Sequence, residues 1–195
     1  MRFKGYVAGS LFNEAEVSQR KKEAQILKEE KGCKEIEWYS PIEQPCNDKS
    51  KLVTAKSVFV ADTQAVIDAD FIIADISNGD AGVSMELGIA YGLQYARAVL
   101  EKMFTNSRPN IRAQIMHNLE KNGIKQKNIY AVNSDIRLSN AGEYDGIHVP
   151  YGVNQYLVGG IECMNGVFVD KFEKAIPMIL NDKIIIEDSY EDDCE

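Results

Sequence analysis

Residues 70–76, DFIIADI, form a nearly continuous apolar run between two aspartates. Such a run suits a strand buried on both faces, as found in a parallel sheet covered by helices on either side. The turn-rich segment Ser77 to Gly82, SNGDAG, follows at once and leads into a helix predicted from about Val83 to Arg97. A strand that feeds a helix through a short glycine-bearing loop is one βα unit, and the rest of the chain repeats it. Residues 2–8 read as a strand, and Phe12 to Glu30, rich in Glu, Lys, Ala and Gln, as a helix. A short strand follows at 35–39. The stretch 40–53 carries two prolines and polar turn residues, so it reads as a loop. Residues 54–69 place Val58, Ala61, Ala65 and Val66 at helical spacing. Further strands are expected at 128–133 and 166–169, and helices at 152–164 and 170–180. Strands separated by helices imply right-handed crossovers and a parallel sheet. The expectation is an α/β fold in a single domain, with five parallel strands, doubly wound.

In such sheets ligands bind beyond the carboxyl ends of the strands. Three segments then share one rim: Tyr6 to Phe12, Ile76 to Glu86, and Asn133 to Asn154. Residues 98–127 fit the plan less well and read as an insertion in a domain spanning 1–181. Ile111, Ile115 and Leu119 suggest one amphipathic helix within it, as a surface excursion, an oligomer contact or a substrate lid. The remainder, 182–195, is an acidic tail whose last residues, EDSYEDDCE, are expected to fray.

Composition excludes several classes. The formal charge of −8 disfavours a general nucleic-acid binder, which needs a basic face. No apolar run approaches the roughly 20 residues of a membrane span, and the first residues lack the pattern of a signal peptide. Cys33, Cys46, Cys163 and Cys194 form no C-x-x-C pair, and His117 and His148 are the only histidines. A structural zinc site is therefore not expected, and no cofactor is called for. Scattered cysteines suit reduced thiols and a cytoplasmic location.

The stretch Gly82-Val-Ser-Met-Glu-Leu-Gly-Ile-Ala90 places Glu86 near the start of a helix, on the rim. An acid there could simply complement the helix dipole. Asp80 lies six residues earlier, and Asp62 lies on the preceding helix. Three carboxylates converging on one cleft repel each other, which a fold tolerates mainly for function. Taken singly, Asp62 reads as a solvated helix residue and Asp80 as a turn former, while Asp68, Asp70 and Asp75 read as structural. Tyr6, at the end of the first strand, is either a core aromatic or a donor that orients Glu86. Gly9 and Ser10 after it could form a tight turn near a sugar or phosphate.

Taken together, these segments resemble the nucleoside 2-deoxyribosyltransferase family. The matching stretches are Tyr6-Val-Ala-Gly-Ser-Leu-Phe12 followed by Asn-Glu-Ala-Glu, then Ala69 to Asp75, Asp80 to Ala90, and Val153-Asn-Gln-Tyr156. The resemblance implies a flavodoxin-like sheet and a double displacement. Glu86 would attack the anomeric carbon of a 2'-deoxynucleoside, expel the base, and form an ester that a second free nucleobase or water resolves. It further implies that Tyr6 orients Glu86 and that Asp62 and Asp80 bind the base, one of them managing its proton. Asn154 would come from a neighbouring subunit of a homo-oligomer. Tyr156 matches another neighbour-supplied position, where the family pattern has Met. Gly9, Ser10, Phe12, Gln44 and Gly82 complete the candidate substrate-binding set. Gln44 rests on a loosely matching loop.

Other readings stay open at this stage. A related N-glycosidase would hydrolyse deoxynucleoside 5'-monophosphates and hold phosphate at the first loop. Glu14 and Glu16 would there fill the favourable anion site with their own charge, which favours a free nucleoside. A plain nucleoside hydrolase, a non-catalytic nucleotide-sensing module and a flavodoxin-type electron carrier are the remaining alternatives. The last lacks a phosphate-cradling loop after the first strand.

Overall fold

The computed structural model describes residues 2–45, 53–136, 143–144, 147–148 and 152–192. Cys46, Cys194, the tail end 193–195 and much of the rim segment between 137 and 151 lie outside the described residues. The chain order is β1 (Lys4–Ala8), α1 (Glu14–Glu29), β2 (Glu37–Tyr39), α2 (Ala55–Asp68), β3 (Phe71–Asp75), α3 (Ala81–Met103), α4 (Pro109–Lys121), β4 (Asn128–Val132), β5 (Glu143–Tyr144), β6 (Ile147–His148), α5 (Gln155–Cys163), β7 (Val167–Val169) and α6 (Phe172–Asp192).

Five strands pair in the order β2-β1-β3-β4-β7, all parallel. That is the flavodoxin-like order, with its topological switch between β1 and β3. Alternation along the strands divides the core in two. Tyr6, Ala8, Ile72, Ala74, Ile129 and Ala131 meet Val66 of α2, Val83, Leu87 and Ala90 of α3, and Ile161 of α5. Phe3, Val7, Phe71, Ile73, Tyr130 and Val132 meet Leu27 of α1 and Phe172, Ala175, Ile176 and Ile179 of α6. Successive residues of β3 thus feed opposite layers, which explains why its sequence is apolar at every position. Each such large side chain, fully buried, contributes roughly 1.5–3 kcal/mol.

The helices start where their sequences cap them. Asn13 and Thr54 each form a reciprocal capping box, with Glu16 and Ser57 respectively. Asp80 caps α3 by accepting from the Val83 amide. Three features differ from expectation. Helix α3 continues past Arg97 to Met103, because Ala-Val-Leu-Glu-Lys-Met has high helix propensity and no breaker follows until Pro109. The segment 98–127 is therefore the end of α3 plus α4, and α4 buries no residue. Helix α6 runs to Asp192 rather than ending near 180, so most of the acidic segment is helical. Lys183 pairs there with Glu187 one turn on and with Glu35 across the fold, offsetting part of the acidic charge. The antiparallel pair β5–β6 has no counterpart in the expected plan. Among the described residues no helix is long and apolar enough to cross a membrane.

Candidate active site

The site lies at the carboxyl ends of β1, β2 and β3, on the face covered by α2 and α3. Tyr6 is fully buried, yet its phenol reaches the carboxylate of Glu86 and donates to Oε1 at 2.6 Å. Glu86 sits on the second turn of α3, held there by Val83, Leu87 and Ala90, which lock the helix onto the sheet. Its other oxygen, Oε2, is buried and has no hydrogen-bond partner among the described residues. The carboxylate is thus oriented through one oxygen, while the other is enclosed and uncommitted.

Burial pushes Glu86 up from its ordinary 4.5 to about 7. The Tyr6 hydrogen bond opposes that rise, and the negative charges of Asp62 and Asp80 add to it. Both aspartates act electrostatically on Glu86. Their individual roles differ. Asp80 Oδ1 is engaged as the α3 cap, 3.0 Å from the Val83 amide. Asp62, on α2, accepts a 2.7 Å hydrogen bond from the Tyr39 hydroxyl. Burial raises the Asp62 carboxyl above the ordinary aspartate range, and the Tyr39 bond offsets part of that rise. The rings of Tyr6 and Tyr39 stack at 5.6 Å with an interplanar angle of 21°.

The first loop is built around Glu16. One of its oxygens accepts from the Phe12 amide at 2.8 Å and the Asn13 amide at 3.3 Å. The other accepts from the Asn78 side chain at 2.9 Å. Some burial opposes the charge, but these donors and the Ser10 hydroxyl hold the Glu16 carboxyl below its usual range. Ser10 is buried and receives the Asn78 amide as well. Gly9 has a packing reason: a Cβ there would come within 1.7 Å of the Arg20 guanidinium. Arg20 is buried and bridges Glu23 and Asp75, which confirms Asp75 in a structural role. Likewise Asp68 pairs with Lys4, and Asp70 with Lys125.

The other candidates are spread around this centre. Phe12 is 84% exposed and stands open on the rim. A Cβ at Gly82 would lie 2.9 Å from Asp80 Oδ1, so glycine keeps the cap accessible. Gln44 donates to the Ser40 carbonyl at 3.3 Å, within its own turn. Asn154 caps α5 by accepting from the Tyr156 amide at 2.9 Å, and Tyr156 is 92% exposed. Both line a cavity of about 720 Å³ between α3 and α5, together with Ser84, Gly88 and Tyr91. At 100° per residue, Glu86 projects from nearly the opposite side of α3 from Ser84, Gly88 and Tyr91. Glu86 does not line that cavity. Within one chain, therefore, Asn154 and the carboxylate flank α3 on different sides.

Sequence reasoning missed Tyr39 and the Glu16–Asn78 bond. Tyr39 pairs in register with Tyr6 across the parallel strands, a juxtaposition that only strand pairing sets. Among the described residues, no group of three or more His, Cys, Asp or Glu side chains is placed to hold a metal ion.

The family model described as nucleoside 2-deoxyribosyltransferase matches residues 6–175. A conserved protein from Enterococcus faecalis V583 has a similar structure, with TM-score 0.58 and 24% identity over 91% of this chain and 96% of that one. A 2-desoxiribosyltransferase from Leishmania mexicana is similar at TM-score 0.51 and 20% identity, over 92% of this chain and 97% of that one. At these identities the likeness shows the shared fold. No curated protein matches.

Proposed function

The chain belongs to the nucleoside 2-deoxyribosyltransferase family, and on that premise we propose that it moves 2-deoxyribose between nucleobases through an ester on Glu86. The observation that carries this reading is the half-engaged carboxylate: Oε1 held by Tyr6, Oε2 buried and without a partner. That leaves one oxygen of Glu86 uncommitted at the rim where α3 leaves the sheet, which is what attack on an electrophilic carbon requires.

In the first half-reaction Glu86 Oε2 attacks C1' of a 2'-deoxynucleoside. The C1'–N bond breaks, its electron pair passes to the base, and the base takes a proton. Asp62 is the better proton source of the two aspartates, because Asp80 is committed to the helix cap and burial raises the Asp62 carboxyl. Asp80 remains beside the base and raises the basicity of Glu86. A second base then attacks C1', returns its proton to Asp62 and frees Glu86. Exposed Phe12 offers a face for stacking the base. Asn154 reaches the sugar side from a neighbouring subunit, consistent with its place on the far flank of α3.

Glu16 supports a free nucleoside over a 5'-monophosphate. Its carboxylate takes the amides of Phe12 and Asn13 and the donors of Ser10 and Asn78, which a phosphate at that loop would require.

The test is base exchange. Protein is mixed with thymidine or 2'-deoxyinosine plus free adenine or cytosine, with ribonucleosides as controls. A new deoxynucleoside formed only with enzyme is the expected result. Free base without a new nucleoside would replace transfer by hydrolysis, and no turnover of any deoxynucleoside would overturn the reading.

A further inference from the structure

We infer that Tyr39 is a positioning residue for Asp62, and that the Tyr6–Tyr39 stack fixes the spacing between the nucleophile and the acid. The inference rests on the reading in which Glu86 attacks and Asp62 carries the proton of the base.

The arrangement follows from the sheet. Strands β1 and β2 are parallel and in register, with Tyr6 directly beside Tyr39. Residue alternation sends Trp38 to the α1 side, where its ring nitrogen donates to the Cys33 carbonyl. Tyr39 therefore faces the α2 and α3 side, as Tyr6 does. Adjacent strands lie about 4.8 Å apart, close to the 5.6 Å between the two rings. Each ring then delivers its hydroxyl to a carboxylate on a different helix: Tyr6 to Glu86 on α3 at 2.6 Å, and Tyr39 to Asp62 on α2 at 2.7 Å. Both are short, charge-assisted bonds. Two helices that could slide relative to each other are tied, through their reacting groups, to one rigid pair of strands.

Packing alone would not require this. A phenylalanine at position 39 could keep the stack. The hydroxyl supplies a donor to Asp62 Oδ1, and Oδ2 is the oxygen that would meet the base. When the C1'–N bond breaks and Asp62 gives up its proton, negative charge develops on that carboxylate. A donor already in place is worth more to the charged form than to the neutral one, so the bond strengthens along the reaction. When the second base attacks, the same bond holds the carboxylate ready to accept the proton.

The test is Tyr39→Phe, assayed on deoxynucleosides of a graded base series (5-substituted uracils or 6-substituted purines, whichever the enzyme turns over). A base that is a poor leaving group needs the proton most. The expected result is a loss of about 10- to 100-fold in kcat/KM for the poorest leaving group. For the best leaving group the loss should shrink to a few-fold, so the dependence on base acidity steepens. Tyr6→Phe should instead lower the whole series together, because it acts on the nucleophile. Asp62→Asn should reproduce the steepening, and adding Tyr39→Phe to it should cost little more. The pH profile gives a second readout: without the Tyr39 donor the Asp62 carboxyl rises, so the alkaline limb moves to higher pH. A uniform loss across the series with an unmoved limb would make Tyr39 merely structural, and unchanged kinetics would also overturn the inference. If Asp62→Asn shows no dependence on the leaving group, the acid assignment itself falls, and the role of Tyr39 with it. Base exchange that still required Glu86 would show that the transferase reading survives.

Discussion

The Tyr6 hydroxyl and Glu86 Oε1 meet at 2.6 Å although the two residues are 80 apart in the chain. The bond ties the innermost aromatic of β1 to the helix that follows β3. It therefore closes the topological switch, where a doubly wound sheet binds its ligands.

The first prediction concerns pH. Attack requires the carboxylate, and Glu86 titrates near 7 in the folded protein. In the free enzyme the acid limb of kcat/KM should lie near 7, with loss of the Asp62 proton setting the alkaline limb. Tyr6→Phe removes a donor that favours the charged form, so the acid limb should move to higher pH. An acid limb near 4.5 in the wild type would show that Glu86 is not the titrating nucleophile.

Stability should carry the opposite signature. A carboxyl raised from 4.5 to about 7 favours the folded state fully below 4.5, and that contribution is lost as pH rises through 7. The ionised form costs on the order of 3 kcal/mol. Glu86→Gln should thus melt several degrees above wild type at pH 8, the gap closing toward pH 4.5. Thermal unfolding at the two pH values measures it, and equal melting points at pH 8 would contradict the burial argument.

The alternation of strands and helices was legible because strand and helix periodicities are strong in this chain, while the flavodoxin-like arrangement and the assignment of Tyr6 to Glu86 came from the resemblance. The run 70–76 announces a strand buried on both faces, and the glycine-rich turn after it announces the rim. Tyr39 was not legible: its partner Asp62 is 23 residues away on another helix, and only strand register brings Tyr39 beside Tyr6. The helical end of the acidic segment was hidden for a related reason. Local charge reads as fraying, whereas Lys183 draws compensation from Glu35, 148 residues distant.

Oligomerisation should be needed for activity. Glu86→Ala and Asn154→Ser variants, each inactive or strongly impaired alone, should regain activity when mixed and allowed to exchange subunits. Serine retains the capping ability of position 154, so a loss there is not a folding loss. Failure of the mixture, with subunit exchange demonstrated, would place Asn154 outside the neighbouring site.

Glu16 sets the preference against phosphate. Glu16→Gln removes the negative charge while leaving the Asn13 cap. It should improve kcat/KM for a 2'-deoxynucleoside 5'-monophosphate relative to the nucleoside, by up to roughly tenfold as one charge repulsion is relieved. A ratio unchanged from wild type would remove Glu16 from substrate selection.

The most direct measurement is capture of the ester. A 2'-fluoro-arabinonucleoside disfavours the oxocarbenium-like transition state and should slow breakdown of the intermediate. After incubation and acid quench, peptide mass mapping should find one fluoro-sugar on the peptide containing Glu86. The adduct should be absent from Glu86→Ala, whose turnover should be at least roughly 10³-fold lower. A sugar attached to another residue, or base exchange that persists in Glu86→Ala, would contradict the account.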